Sequence, residues 1–106
     1  MSSENDCHFC NLPHERVIAE SEMCAVIYDL YPVTKLHTLI IIKRHVESYF
    51  DITEQERGEI QQHLENQRKR IEGEDTSVTG FNIGINCGED AGQTVMHCHV
   101  HLIPRR

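Results

Sequence analysis

Near its C-terminus the chain reads Met96-His97-Cys98-His99-Val100-His101-Leu102-Ile103, and this stretch constrains the fold more than any other. His97, His99 and His101 fall on one parity, Cys98, Val100 and Leu102 on the other. Alternation with period two is the pattern of a half-buried β-strand, which sets three imidazoles on one face and packs the opposite face. Imidazole titrates near neutrality and serves as nucleophile, proton donor or acceptor, or metal ligand. The chemistry is therefore expected on that strand.

The segments before it supply the rest of a sheet. Val17-Ile18-Ala19-Glu20 and Met23-Cys24-Ala25-Val26-Ile27-Tyr28 read as a hairpin turning at Glu20-Ser21-Glu22. Asp29 ends the second strand; a carboxylate there can bond a ribose hydroxyl pair or cap a turn, and spacing alone favours the turn. A loop carrying Pro32 leads into His37-Thr38-Leu39-Ile40-Ile41-Ile42, a β-branched run suited to a central strand, with Lys43-Arg44-His45 at its exit. Thr53 and Glu56 have capping-box spacing, and Ile60, Leu64 and Ile71 keep to one side of the helix that follows. Gly73 is expected to stop it. Arg57, Gln61, Glu65 and Arg68 mark its solvated face.

Gly80-Phe81-Asn82-Ile83-Gly84-Ile85-Asn86 alternates again, showing asparagines and a glycine on one face, as a strand does where a ligand approaches closely. Cys87-Gly88-Glu89-Asp90-Ala91-Gly92-Gln93-Thr94 then delivers a glycine-bearing loop into the histidine strand. Such loops can aim backbone N–H groups at phosphate oxygens, although this one lacks the Gly-Lys-Ser/Thr ending of a P-loop. At 106 residues one domain, 1–106, is expected, and a core this small is helped by oligomerisation.

A net charge of −7 argues against a surface built for nucleic acid or anionic membrane. No apolar run approaches the ~20 residues of a membrane span, and the polar residues 1–6 do not read as a leader. Five cysteines are odd in number and not laid out as a disulfide framework, which suits a reducing cytoplasm. Cys7-His8-Phe9-Cys10 is half of a zinc site or a pair of thiols at a turn. With no second Cys-x-x-Cys, further ligands would have to be histidines.

The run from Asn86 to Arg105 closely resembles the signature of the histidine triad family: His-apolar-His-apolar-His-apolar-apolar preceded by Gly-Gln-Ser/Thr-Val, here Gly92-Gln93-Thr94-Val95. Tyr28, Asp29, Pro32, His37 and Lys43-Arg44-His45 are similar to an earlier block of the same family. The short length and opening Cys-x-x-Cys look most like prokaryotic members described as diadenosine polyphosphate hydrolases or nucleoside phosphoramidases.

The resemblance implies an α+β fold, an antiparallel sheet of about five strands with one long helix packed on it, and a homodimer pairing around the helix and a strand edge. It implies hydrolysis or transfer at the α-phosphorus of a purine nucleotide, through a nucleotidyl-histidine that water resolves to a nucleoside monophosphate. His99 would be the nucleophile, and His37 would help fix its orientation. His101 would contact the phosphate and the bridging or leaving-group oxygen. Gln93, Thr94 and Asn86 would donate to non-bridging oxygens beside Gly92, and Asp29 would hold the ribose. No catalytic cofactor is implied. A structural zinc is, on Cys7, Cys10, His45 and His97.

Three positions depart from the family pattern: Leu36 for a common glycine, Ile42 for a proline, and Met96 for a proline in relatives with this opening. Two rival readings are a catalytic zinc hydrolase using two strand histidines with a third ligand such as His37, and a nucleotide-binding protein without turnover. Alternate strand positions 97 and 101 lie ~13 Å apart, too far for one ion to take all three imidazoles.

Overall fold

The computed structural model describes residues 7–106; the residues 1–6 read above as leaderless lie outside them. Five strands form one antiparallel sheet: β1 (Val17–Glu20), β2 (Cys24–Tyr28), β3 (Thr38–Ile42), β4 (Gly80–Gly84) and β5 (His99–Arg105), in the order β1-β2-β3-β5-β4. Helix α1 (Glu54–Glu74) connects β3 to β4, and β5 returns between them. The α+β architecture expected from the sequence is the one found.

Each element follows from its residues. Thr-Leu-Ile-Ile-Ile in β3 is buried at all five positions, as befits a strand with a neighbour on each side and cover on both faces. Pro104 is tolerated inside β5 because the pairing with β3 ends at Leu102, leaving Pro104 opposite only Phe81 of β4. At the start of α1 the Thr53 hydroxyl accepts from Glu56 N–H, and the Glu56 carboxylate accepts from Thr53 N–H.

The pleat sorts the sheet into two faces. Cys24, Val26, Ile40, Ile42, Cys98 and Val100 meet Ile60 under the helix. Each such isoleucine contributes roughly 2 kcal/mol by leaving water. At the far end of the helix Ile71 packs with Val78 and Leu102. On the opposite face Ile27, Leu39 and Ile41 are covered by Phe9, Leu12 and Val17 from the N-terminal segment. The histidines of β5 share that face, away from the helix.

Three expectations are corrected. The helix passes through Gly73 and ends at Glu74, where Asp75 N–H still bonds Ile71 O at 2.9 Å. Its buried line is Glu56, Ile60, His63, Gln67 and Ile71, with Leu64 only half-buried. The polar members carry partners: Arg44 clamps Glu56 at 2.7 and 3.0 Å, and His63 Nε2 donates to Ser21 Oγ at 2.8 Å. Finally, β5 begins at His99, so His97 is not in the strand. His97 N–H turns back to Val95 O at 2.8 Å, because its ring is drawn toward a different cluster. Among the described residues no helix is long and apolar enough to cross a membrane.

Candidate active site

In the β3–β5 register His101 lies opposite Leu39 and His99 opposite Ile41, with His37 immediately before β3. Leu36, just ahead of it, has φ of +71°. That left-handed conformation favours glycine and costs a leucine about 1 kcal/mol, here held by packing against Ile71, Val78 and Leu102.

Backbone groups decide which nitrogen of each ring carries the proton. Val33 N–H donates to His37 Nδ1 at 3.1 Å, so in the neutral ring the proton is on Nε2. His37 Nε2 lies 2.9 Å from His101 Nδ1 and 3.5 Å from Asp29 Oδ2. It donates to His101, whose own proton is thereby placed on Nε2. His99 Nδ1 is 2.7 Å from the carbonyl oxygen of His97; a carbonyl can only accept, so Nδ1 is protonated and Nε2 keeps its lone pair.

Burial favours the neutral ring throughout. It pushes His99 below the ordinary histidine value, against the bond to His97 and the pull of Asp29. Burial also depresses His101, helped by His99 and His37, and it outweighs Asp29 at His37. On the opposite face of the sheet the thiol of Cys98 is pushed up to about 11 by burial and remains protonated.

Two hollows flank His101. One, of about 240 Å³, is lined by Phe9, Asp29, Leu39, Thr94, His99 and His101, with Leu30 and Tyr31 at its rim. The other, about 270 Å³ and shallower, is lined by His37, Asn82, Gly84, Asn86 and His101. The sequence reading thus finds Asp29, Thr94, His99 and His101 around one hollow, and His37 and Asn86 on the other side. Asp29 divides its oxygens: Oδ1 caps the turn by accepting from Tyr31 N–H at 2.8 Å, and Oδ2 faces His37.

Gln93, expected as a phosphate donor, is buried with its amide committed to the loop. Gly88 N–H donates to Oε1 at 2.7 Å, and Nε2 donates to Glu47 O at 2.8 Å and Val95 O at 3.1 Å. It braces the loop, whose Gly88 and Gly92 have φ near +90°. Asn86 Nδ2 reaches Gly92 O at 3.3 Å. Phe9 and Leu39 were not singled out from the sequence. Leu39 shares the parity of His37, which was its only signal, and Phe9 arrives from a segment outside the sheet.

Cys7, Cys10, His45 and His97 bring one ligand atom each within 4.8 Å of one another. Cys7 Sγ and Cys10 Sγ are 3.3 and 3.4 Å from His97 Nδ1, and Cys10 Sγ is 3.1 Å from His45 Nδ1. Ligands of a tetrahedral zinc with ordinary bond lengths lie ~3.5 Å apart. His97 Nε2 donates to Ile42 O at 2.5 Å, which leaves Nδ1 unprotonated toward the sulfurs, as ligation requires. Two thiols and two imidazoles so arranged fit a closed zinc site.

Comparison with known proteins identifies the family of the chain. The HIT domain family model matches residues 13–106. The Protein hit of Bacillus subtilis is 34% identical over 99% of this chain and 74% of its own length. A bis(5′-nucleosyl)-tetraphosphatase (asymmetrical) of Schizosaccharomyces pombe is 36% identical over 86% of this chain, which spans half of that relative. The solved structure of a zinc-bound histidine triad family protein from Mycobacterium smegmatis is 31% identical with a TM-score of 0.86, over 97% of this chain and 77% of that one.

Proposed function

The chain belongs to the HIT domain family, and from that premise we propose that it hydrolyses nucleotides at the α-phosphorus through a nucleotidyl-histidine on His99. The observation that carries this reading is the 2.7 Å bond from His99 Nδ1 to His97 O, which leaves Nε2 as a nucleophile at the wall of the deeper hollow, the one lined by Phe9 and Asp29. An N–P bond forms as the bond from phosphorus to the leaving group breaks, and His101 Nε2–H holds the departing atom. Water then cleaves the N–P bond and releases a nucleoside monophosphate. The His99 proton stays on Nδ1, where the His97 carbonyl stabilises the charge gained by the ring.

The apolar walls from Phe9, Leu39 and Leu30 suit a purine, with Asp29 at the ribose. Thr94, Asn86 and the N–H groups of the loop braced by Gln93 are suited to non-bridging phosphate oxygens. Zinc on Cys7, Cys10, His45 and His97 would serve as a structural cross-link. The chain is proposed to work in a reducing cytoplasm, where thiols such as these persist; no disulfide joins the described cysteines. It is also proposed to be a homodimer, paired through the uncharged edge strand β4 and helix α1.

Asp29, His37 and His101 also cluster as a metal site would, which favours the catalytic-zinc alternative. The bond from Val33 N–H weighs against it, because His37 could then offer Nε2 to an ion only as an imidazolate.

The test is turnover of diadenosine polyphosphates and adenosine phosphoramidate, with and without a chelator, beside His99→Asn, with circular dichroism on each sample. Chelator-resistant release of monophosphate, lost in the variant, is expected. Activity that disappears with metal while the fold survives would overturn it in favour of catalytic zinc. Tight nucleotide binding without turnover would leave a binding protein.

A further inference from the structure

His8 and Phe9 are the two residues between the thiols of the metal corner, and both line the deeper hollow beside His99. The knuckle lies outside the sheet, since β1 begins only at Val17. It closes on itself through Asn11 Nδ2, which donates to Cys7 O at 2.9 Å. With Cys7 and Cys10 both held at His97, a two-residue bridge has little freedom to choose another path.

Phe9 sets its edge against the His99 ring at 5.0 Å between centroids and against the His97 ring at 6.0 Å. It also packs against the cluster of Ile27, Leu39 and Ile41 on the same sheet face. One side chain therefore touches a metal ligand, the nucleophile and the wall of the nucleotide pocket. Its position is set by the two cysteines on either side of it.

We propose that Phe9 couples the metal corner to the pocket, so that an ion on Cys7, Cys10, His45 and His97 tightens nucleotide binding, and a bound nucleotide tightens the ion. The inference rests on the nucleotide reading of the pocket. Holding the knuckle in place removes the ordering that a nucleotide would otherwise have to bring about, and linkage makes the two effects equal in size. Phe9 is here a positioning residue, distinct from the four ligands.

The test is the zinc affinity of the full chain, by competition with a chromogenic chelator, with and without saturating adenosine 5′-monophosphate. Direct calorimetric titration of that nucleotide into zinc-loaded protein runs beside it. Zinc is expected to bind about fivefold tighter or more with the nucleotide present. Phe9→Ala keeps all four ligands, so it should still bind zinc while the ratio falls to within about twofold. If Phe9→Ala does not fold, Phe9→Leu keeps the apolar bulk, loses the ring edge, and must also lower the ratio. A ratio of one in the unaltered chain, or an undiminished ratio in the variants, overturns the proposal while leaving the nucleotide reading intact. A nucleotide that fails to bind zinc-loaded protein sinks both.

Discussion

His99 donates through Nδ1 to the carbonyl oxygen of His97, 2.7 Å away, while the His97 ring turns its own Nδ1 toward two thiols. One residue thus belongs to the metal corner through its side chain and to the proposed nucleophile through its backbone. The placement of His97 outside β5 makes this possible, since a regular strand would have spent that carbonyl on a neighbouring strand.

The Val33–His37–His101 chain leads to a prediction about leaving groups. If His101 Nε2–H stabilises the departing atom, His101→Ala should cost about 10²–10³-fold in kcat with amine or alkoxide leaving groups. With a nitrophenolate, which needs little help, the loss should be about tenfold or less. Equal losses across a series of leaving-group pKa values would remove that role from His101. His37→Ala should show the same trend more weakly.

Metal removal should register in stability. Binding at ~1,000 times the dissociation constant stabilises by about 4 kcal/mol, about 15 °C in Tm for a domain of this size. Stripping zinc, or substituting Cys7→Ser, should lower Tm by that order, with the two changes not adding. A Tm indifferent to chelation would mean that the four residues hold no ion.

Glu56 is wholly buried, and its bond from Arg44 holds the carboxyl below the ordinary value of 4.5 despite burial. A depressed folded-state pKa gives stability that is present above about pH 4.5 and lost as pH falls through the folded value. Glu56→Gln should therefore cost about 1–3 kcal/mol at pH 7 in urea unfolding. The gap from the parent should narrow steadily in acid. A gap independent of pH would show that charge is not what Glu56 supplies.

Ile83 is 58% exposed on the free edge strand β4. In the proposed homodimer Ile83→Lys places like charges at the joint and should convert the dimer to monomer by sedimentation, with the circular dichroism of the fold retained. A chain that sediments as a monomer before substitution removes the dimer.

The sequence made His99, His101 and the central strand legible because their signals are local: alternation by two and a run of β-branched residues. His97 broke the pattern because its ring answers to Cys7 and Cys10, some ninety positions away. Partners 12 and 42 positions away hid the helix's true inner face. Glu56 and His63 look solvated until Arg44 and Ser21 are folded against them. Gly73 does not stop the helix, because a C-terminal glycine does so only where the chain turns left-handed, and Asp75 leaves in an extended conformation. The departure at Leu36 marked a real peculiarity, the positive φ ahead of His37.

The two hollows on either side of His101 carry a consequence for the order of events. In the proposed reaction, with the nucleoside seated on the Phe9 side and the nucleotidyl group on His99, the first product would depart across His101 while the rest of the substrate stays put. The vacated hollow, bordered by Asn82, Gly84 and Asn86, would then admit the next reactant. Traffic of that kind is ping-pong: the double-reciprocal lines for donor and acceptor run parallel, and an amine can take the place that water would fill.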